Sequence, residues 1–220
     1  MRYLEVYNGV SMYLWARLLG CTLLDVWGYL WMNPNTIYVS WTYQGYPHKF
    51  FVVLQTITVL FELIHWFMGL VPSSISTLLV HASGRLMIAL AISFYLPDSR
   101  ANFSPVYALL LIVWSTADIT RYSVYLGKQL QIMPALLERW RYSMFIPLYP
   151  IALVSSMYLI YLSLNDDTGF YFGFLLASST FYGCGYLWVF THMWEKRLRW
   201  IRRVEQLKEF DCEKSAILGV

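Results

Sequence analysis

Six long runs of apolar residues dominate the sequence, and turn-forming or charged residues separate each run from the next. A helix that crosses a membrane needs ~20 mostly apolar residues, and every run exceeds that length. The runs span residues 9–32, 49–71, 74–96, 103–127, 141–164 and 169–194. Only 13% of all residues are charged, which is about half the share found in soluble domains. The sequence therefore predicts an all-α membrane protein, built as a six-transmembrane-helix bundle.

The Lys and Arg residues outside these runs, or at their ends, are distributed very unequally across the predicted membrane. With six spans, both termini and the loops after spans two and four share one side, which carries eleven basic residues. The other side carries two, Lys49 and Arg100. Basic segments stay on the cytosolic side, so we expect both termini in the cytosol or in the mitochondrial matrix. The eleven are Arg2, Lys128, Arg139, Arg141, Lys196, Arg197, Arg199, Arg202, Arg203, Lys208 and Lys214.

The segment after the sixth run is basic. We assign residues 1–195 to a membrane domain and residues 196–220 to a C-terminal tail. The stretch WEKRLRWIRRVEQLKEF predicts a helix that continues out of span six. Its bases would lie near anionic headgroups, so both a topogenic role and a role in binding lipid or a partner stay open.

Eight ionisable side chains fall inside the predicted spans. They are Arg17, Asp25, Glu62, His65, His81, Arg85, Asp118 and Arg121. An Arg or Asp that faces lipid costs on the order of 2.5–3.5 kcal/mol, so we expect these groups to face the bundle interior. Three pairs stand three or four residues apart, as neighbours on one helix do: Glu62–His65, His81–Arg85 and Asp118–Arg121. Any single pair would also fit a clasp between helices, but the whole set predicts a shared polar cavity.

The reactive residues argue against several kinds of chemistry. The four histidines are isolated from one another, which argues against clustered-histidine metal oxidation, and the three cysteines are scattered. The sequence contains no GxSxG elbow and no glycine-rich phosphate loop. We therefore expect no metal, no other cofactor and no nucleic acid partner. Proton transfer by Tyr, carboxylate and Arg side chains is the chemistry that these residues favour.

A polar stripe is predicted on the fifth span. Tyr142, Tyr149 and Ser156 recur every seven residues in the segment RYSMFIPLYPIALVSS, residues 141–156. Seven residues are close to two helical turns, so the three side chains would share one face, about 10.5 Å apart along the axis. A polar stripe in an apolar helix predicts either packing against a neighbouring helix or a catalytic face.

Five segments of the sequence are similar, in order, to one known family. They are YLEVYN, ELIHWFMGLVPSS, SGRL, WSTADITRYSVY and RYSMFIPLYP, within residues 3–195. Together they resemble the very-long-chain (3R)-3-hydroxyacyl-CoA dehydratase family, formerly called protein tyrosine phosphatase-like. The resemblance implies a six-span protein of the endoplasmic reticulum. It also implies removal of water from a (3R)-3-hydroxyacyl-CoA to give the trans-2-enoyl-CoA, the third step of very-long-chain fatty acid elongation.

The resemblance also implies roles for individual residues. Dehydration needs one group to take a proton from C2 and another to deliver a proton to the departing 3-hydroxyl. The family assigns this work to a Tyr and a Glu seven residues apart on the fifth span, and Tyr149 matches the tyrosine. The expected substrate-binding residues, some matched by the resemblance and some by the predicted cavity, are Arg121, Tyr122, Arg141, Tyr142, Arg85, Asp118 and Glu62.

The sequence departs from the family at the second catalytic position. Ser156 stands where the family has its glutamate, and a hydroxyl cannot act as a carboxylate near neutral pH. Ala152 replaces a family glycine and Asp118 a family glutamate. We therefore expect dehydratase activity to be lost or impaired, with Glu62 and Asp25 as the candidate substitute bases. If the spacing from Tyr149 is all that matters, Ser156→Glu should restore a rate.

Two functions of different classes are open at this point. One is a working dehydratase with a relocated carboxylate, which binds membrane lipids, a long-chain acyl-CoA and elongase partners. The other is a pseudoenzyme that serves as a structural or accessory subunit of a larger membrane complex, in the endoplasmic reticulum or the mitochondrial inner membrane. A transporter is disfavoured because the sequence shows no inverted repeat.

Overall fold

Seven α-helices account for most of the computed structural model, which describes residues 2–32, 46–71, 74–166 and 169–218. No strand occurs in these ranges, so the all-α class is confirmed for them. The helices are α1 Arg2–Met32, α2 Tyr46–Phe67, α3 Ile75–Leu86, α4 Pro105–Gln129, α5 Ala135–Arg141, α6 Phe145–Leu164 and α7 Phe170–Leu218.

Two irregular segments connect α3 to α4. The backbone continues from α3 into a π-helix over Met87–Phe94, and a 3₁₀ turn over Arg100–Phe103 follows. Ser104 then caps α4, because its hydroxyl accepts a hydrogen bond from the Val106 amide at 3.3 Å. Proline at the first position of α4 suits a helix start, where no backbone donor is needed.

The predicted fifth span begins later in the structure than in the sequence-based assignment. Arg141 ends the short helix α5, residues 142–144 form a turn, and α6 begins at Phe145. Pro147 lies in the first turn of α6, where a missing amide is tolerated, while Pro150 lies inside the helix. A turn thus separates Tyr142 from the helix that carries Tyr149 and Ser156, and a shared face for Tyr142 and Tyr149 stays a prediction.

Three helical segments are long and apolar enough to cross a membrane: His48–Phe67, Ile75–Phe94 and Ala135–Leu164. Large apolar side chains face outward from the bundle, among them Phe67, Val154 and Phe170. An outward apolar surface is what a lipid environment requires. The helices α1, α4 and α7 contain the other three predicted spans; the six-span count and the orientation of both termini stay predictions.

The bundle is assembled around α4. Helix α1 packs along α4 through a buried stripe at intervals of three and four residues: Asn8, Ser11, Trp15, Leu18 and Thr22. Helix α6 packs on α4 and α7, and α3 packs on α2 and α7. Close approach of α7 depends on glycine: a Cβ at Gly185 would lie 2.8 Å from Val80. Small residues at such contacts are the usual means of packing helices in membranes.

Helix α7 is much longer than a membrane span. Its 49 residues continue without a break past residue 195 to Leu218. The prediction that the basic segment extends span six as a helix is therefore confirmed, and the boundary between the two assigned regions falls inside one helix.

Candidate active site

A cavity of about 720 Å³ lies between the helices, a volume typical of small-molecule sites. Side chains from α1, α2, α3, α4, α6 and α7 line it, together with Arg141 of α5. Along α4 the lining extends from Gln129 to Val113, a rise of about 24 Å for sixteen residues. On α6 the last lining residue is Ala152. The cavity thus begins at the basic end of the bundle and ends near its middle.

Four charged side chains form one network in the cavity wall. Arg85 of α3 donates to Asp118 Oδ2, and Arg121 Nη2 donates to Asp118 Oδ1 at 2.8 Å. Arg121 also pairs with Glu62 of α2. Two guanidinium groups and two carboxylates balance in charge, so the network can lie in a low-dielectric interior without an uncompensated ion.

Aromatic rings hold both guanidinium groups of this network. The Arg85 guanidinium lies 5.3 Å from the centroid of the Trp114 ring and 6.0 Å from that of Trp15. The Arg121 guanidinium lies 4.8 Å from the Tyr122 ring, and the Tyr122 hydroxyl donates to Glu62 Oε1 at 3.2 Å. Cation–π contacts of this kind gain strength when water is excluded.

Tyr149 and His81 form a direct hydrogen bond in the cavity wall. The Tyr149 hydroxyl lies 3.0 Å from His81 Nε2, and the two rings meet edge to face with centroids 5.8 Å apart. The phenol donates when the ring proton of His81 is on Nδ1. Tyr186 packs against the Tyr149 ring with centroids 5.0 Å apart. Both Tyr149 and His81 line the cavity, so their bond is accessible to a ligand bound there.

His81 belongs to a regular polar stripe on α3. The lining residues of this helix and the residue before it are Ser74, Thr77, Leu78, His81, Ala82 and Arg85, which recur at intervals of three and four. Such spacing puts all of them on one face. The helix therefore presents His81 one turn before Arg85, opposite Tyr149 of α6.

Ser156 lies below the cavity and does not belong to the described lining. Its side chain is fully buried, and its hydroxyl accepts a hydrogen bond from the Tyr182 hydroxyl at 3.4 Å. The Tyr182 ring packs so closely on the backbone of Gly84 that a Cβ at residue 84 would overlap it. Tyr182 itself lines the cavity. The stripe of Tyr149 and Ser156 is therefore divided: the first residue faces the cavity, and the second faces packed protein.

Basic side chains surround the other end of the cavity. Lys128, Arg141 and Lys196 all line it, and the Arg141 guanidinium lies 5.3 Å from the Tyr125 ring. Burial, together with the guanidinium groups of Arg141 and Arg199, lowers the pKa of Lys196 from its ordinary value. Three cations converge here, which suits an anionic ligand group.

Six of the eight ionisable residues predicted to face the interior line the cavity: Glu62, His65, His81, Arg85, Asp118 and Arg121. The salt bridge between Asp118 and Arg121 confirms one predicted helical pair. Arg17 and Asp25 are exposed on α1, so the prediction is wrong for them; the buried stripe of α1 ends at Thr22. The histidines of the other two pairs bond tyrosines from other helices: His65 Nε2 lies 2.9 Å from the Tyr3 hydroxyl.

Most of the predicted substrate-binding residues line the cavity, but one does not. Glu62, Arg85, Asp118, Arg121, Tyr122 and Arg141 line the cavity. Tyr142 does not belong to the described lining, and its ring stacks on Trp200 of α7 with centroids 5.1 Å apart. The catalytic and binding roles of all these residues stay predictions. Sequence reasoning missed His81 as the partner of Tyr149 and Tyr182 as the partner of Ser156; the spacing of the α3 stripe was the one available signal for His81.

The fold and the cavity define a class of protein: an α-helical membrane protein with a charged, partly aromatic site inside the bundle. Residues 55–203 match the family model described as protein tyrosine phosphatase-like protein, PTPLA. The chain belongs to this family.

Relatives in several organisms carry the name very-long-chain (3R)-3-hydroxyacyl-CoA dehydratase, and three of them show the extent of the similarity. A probable enzyme of this name from Schizosaccharomyces pombe is 31% identical over 167 residues, which cover 73% of this chain and 72% of the relative. PASTICCINO 2 of Arabidopsis thaliana is 33% identical, with 74% and 68% covered. The Caenorhabditis elegans relative is 31% identical, with 74% and 71% covered. No solved structure matches the chain.

Proposed function

We propose that this protein binds a (3R)-3-hydroxyacyl-CoA in the cavity and removes water from it to give the trans-2-enoyl-CoA. The family and the names of the relatives support the reaction class. The observation that carries the proposal for this chain is the position of Tyr149, whose hydroxyl reaches a cavity wall that also holds a histidine and two guanidinium groups. A phenol placed there can deliver a proton to a departing hydroxyl.

The two ends of the cavity suit the two ends of such a substrate. The phosphates of coenzyme A would lie among Lys128, Arg141 and Lys196, because cations at a cavity mouth attract phosphate groups. The thioester and the 3-hydroxyl would reach inward past Arg121 and Tyr122 to Tyr149. Arg121 presents a positive charge to this part of the cavity, which favours negative charge developing on a thioester oxygen.

A second candidate function is an accessory or structural subunit of a larger membrane complex, without turnover. The observation that favours it is Ser156, which replaces the family glutamate and lies buried against Tyr182. Under this proposal the charged network would hold helices together, since a neutral set of four ions can serve as a clasp.

The location and the partners of the protein are part of the same proposal. Outward apolar helices support an integral membrane protein, and we infer the endoplasmic reticulum from the elongation reaction, with the mitochondrial inner membrane as the alternative. Membrane lipids, a long-chain acyl-CoA and elongase partners are the interactions that this function requires. An accessory role would instead require stable association with other subunits.

The deciding experiment is turnover by the purified, unmodified protein in detergent. We expect conversion of long-chain (3R)-3-hydroxyacyl-CoA to the enoyl-CoA at a rate reduced by the absence of a carboxylate at 156. Chromatography of both species measures it. Chain lengths from C16 to C26 should be compared, because the family concerns very long chains. A folded protein that converts none of them, yet co-purifies with other membrane proteins, would establish the accessory function instead.

A further inference from the structure

The proposed reaction needs a general base that removes the proton from C2, and the family position for that base holds Ser156. Dehydration breaks the C2–H bond, and some group must take that proton while Tyr149 protonates the hydroxyl on C3. Ser156 cannot take the proton, because it is a hydroxyl buried outside the cavity lining. The cavity holds two carboxylates, and both are already engaged: Asp118 pairs with two guanidinium groups, and Glu62 pairs with Arg121 and accepts from Tyr122.

His81 is the basic group that contacts Tyr149 directly. Its Nε2 lies 3.0 Å from the phenol oxygen, and both side chains line the cavity. The hydrogen on C2 and the hydroxyl on C3 stand on adjacent carbon atoms, so the acid and the base of one elimination must be near neighbours. Helices α3 and α6 both pack against α7, which brings the two side chains into contact in the cavity wall.

We propose that His81 is the base of the dehydration, in place of the carboxylate that the fifth span lacks; this inference rests on the proposed function. Nε2 takes the proton from C2, and the electron pair of the C2–H bond forms the C2–C3 double bond. The C3–O bond breaks, and the hydroxyl takes the phenolic proton of Tyr149 and leaves as water. His81 is then an imidazolium and Tyr149 a phenolate.

The hydrogen bond between the two residues closes this cycle. The proton on His81 Nε2 passes directly to the Tyr149 oxygen once the product and water have left, which restores both neutral groups. One proton leaves the substrate and one enters the water molecule, so the reaction balances without any other reactant. A base on α6 seven residues from Tyr149 would lie about 10 Å away along the helix. Its proton would then need another route back to the Tyr149 phenolate.

Other buried histidine–tyrosine bonds in the protein supply a matched control. The Tyr107 hydroxyl lies 2.9 Å from His48 Nδ1, and both residues are 3% exposed. Neither belongs to the described lining of the cavity. A substitution at His48 therefore disturbs a buried bond of the same type without touching the site.

The test compares His81→Gln with His48→Gln in the full-length protein. Glutamine at 81 can still accept a hydrogen bond from Tyr149, but it is not a base, so we expect dehydration to fall by about 100-fold or more. His48→Gln should keep the rate within about threefold after correction for the folded fraction. His81→Glu returns a base to the same place and should run at least tenfold faster than His81→Gln.

A kinetic isotope effect, measured with substrate deuterated on C2, shows whether His81 removes the C2 proton or only supports the structure of the site. In His81→Gln the removal of the C2 proton should limit the rate, so the isotope effect on residual turnover should rise above that of the unmodified protein. An unchanged isotope effect, or a His81→Gln rate within threefold of the unmodified protein, would overturn His81 as the base and leave the proposed function intact. No dehydration by the unmodified protein would overturn both. If His81→Gln fails to fold, His81→Glu decides the matter: a folded His81→Glu protein with no detectable dehydration, beside an active unmodified protein, contradicts the inference.

Discussion

Two histidine–tyrosine bonds of nearly equal length occur in different parts of the bundle, and they have very different surroundings. His81 and Tyr149 line a cavity beside two guanidinium groups and two carboxylates. The bond between His48 and Tyr107 lies in packed protein. The Tyr107 ring packs against Phe51, and the Tyr107 hydroxyl accepts a hydrogen bond from the Ser93 hydroxyl. The bond alone therefore does not indicate chemistry. Access for a ligand and nearby charge distinguish a reactive pair from a packing contact.

The buried polar groups of the two regions differ in kind. Near the start of α4, which carries Tyr107, the buried polar side chains are neutral and include Ser99, Asn102 and Ser104. Around Tyr149 they include Asp118, which is 1% exposed, between Arg85 and Arg121. We refer to the two regions as the cavity end and the sealed end. Substitutions in matched pairs, one at each end, test whether this difference is functional.

The largest expected effect is on catalysis at the cavity end. Tyr149→Phe removes the phenolic proton donor and keeps the ring, so dehydration should fall by about 10²–10⁴-fold. Tyr107→Phe makes the same change at the sealed end and should leave the rate per folded molecule unchanged. Turnover of (3R)-3-hydroxyacyl-CoA measures both. Equal losses in the two variants would contradict a division between reactive and packing pairs.

The next effect concerns stability and tests the charged network. Asp118→Asn leaves the half-buried guanidinium groups of Arg85 and Arg121 without their shared carboxylate, while Arg121 keeps Glu62. The loss should cost about 3 kcal/mol, the low end of the range for breaking a buried pair. Asp166→Asn at the sealed end removes the ion-pair partner of Arg100. The Arg100 side chain is 81% exposed, and its Nε lies 4.0 Å from Asp166 Oδ1. That loss should cost under about 1 kcal/mol. Thermal unfolding in one detergent compares them, and a smaller shift for Asp118→Asn would show that the network does not hold the helices.

A smaller effect is expected at the floor of the cavity. Gly84→Ala adds a methyl group that overlaps the Tyr182 ring, and overpacking of this kind costs about 1–3 kcal/mol. Gly28→Ala is the control, because a Cβ at Gly28 meets nothing within 4 Å. In a helix that change should stabilise by roughly 0.5–1 kcal/mol. Opposite signs of the two melting shifts are the expected result; a stabilised Gly84→Ala protein would contradict the tight packing.

The smallest effect is on substrate affinity at the mouth. Because burial and neighbouring guanidinium groups lower the pKa of Lys196, its ammonium loses its proton at a lower pH than that of a free lysine. Affinity for acyl-CoA should therefore weaken as pH rises toward that pKa. Lys196→Gln should weaken binding at pH 7 by about fivefold or less and abolish this part of the pH dependence. Lys49→Gln at the other end should change neither; an unaltered pH profile in Lys196→Gln would place the titrating group elsewhere.

The sequence predicted the polar cavity because the cost of charge in lipid applies to any fold. It predicted the Asp118–Arg121 pair because both residues lie on one helix, where spacing determines contact. It could not predict the bond between His81 and Tyr149, which are 68 positions apart. That contact depends on how α3 and α6 both pack on α7. For Tyr142 the heptad argument crosses the turn at residues 142–144, and regular spacing indicates a shared face only where the helix is continuous.

The spacing argument failed for Ser156. The helix is continuous between Tyr149 and Ser156, but the cavity ends at Ala152. Where a cavity ends depends on side chains from other helices, here Tyr182, and one sequence contains no direct signal of that. The exposed positions of Arg17 and Asp25 could not be predicted either. The free-energy cost of a charge in lipid predicts that most such residues face inward, but it does not specify where each one lies.

The packing of Tyr182 between Gly84 and Ser156 couples three positions of the chain. A side chain larger than hydrogen at 84 displaces the Tyr182 ring, and Ser156 is fully buried beside the Tyr182 hydroxyl. A glutamate at 156 would therefore compete with this ring for one volume. We expect Ser156→Glu alone to fold poorly and Ser156→Glu with Tyr182→Ala to be accommodated, so these positions have to be changed together.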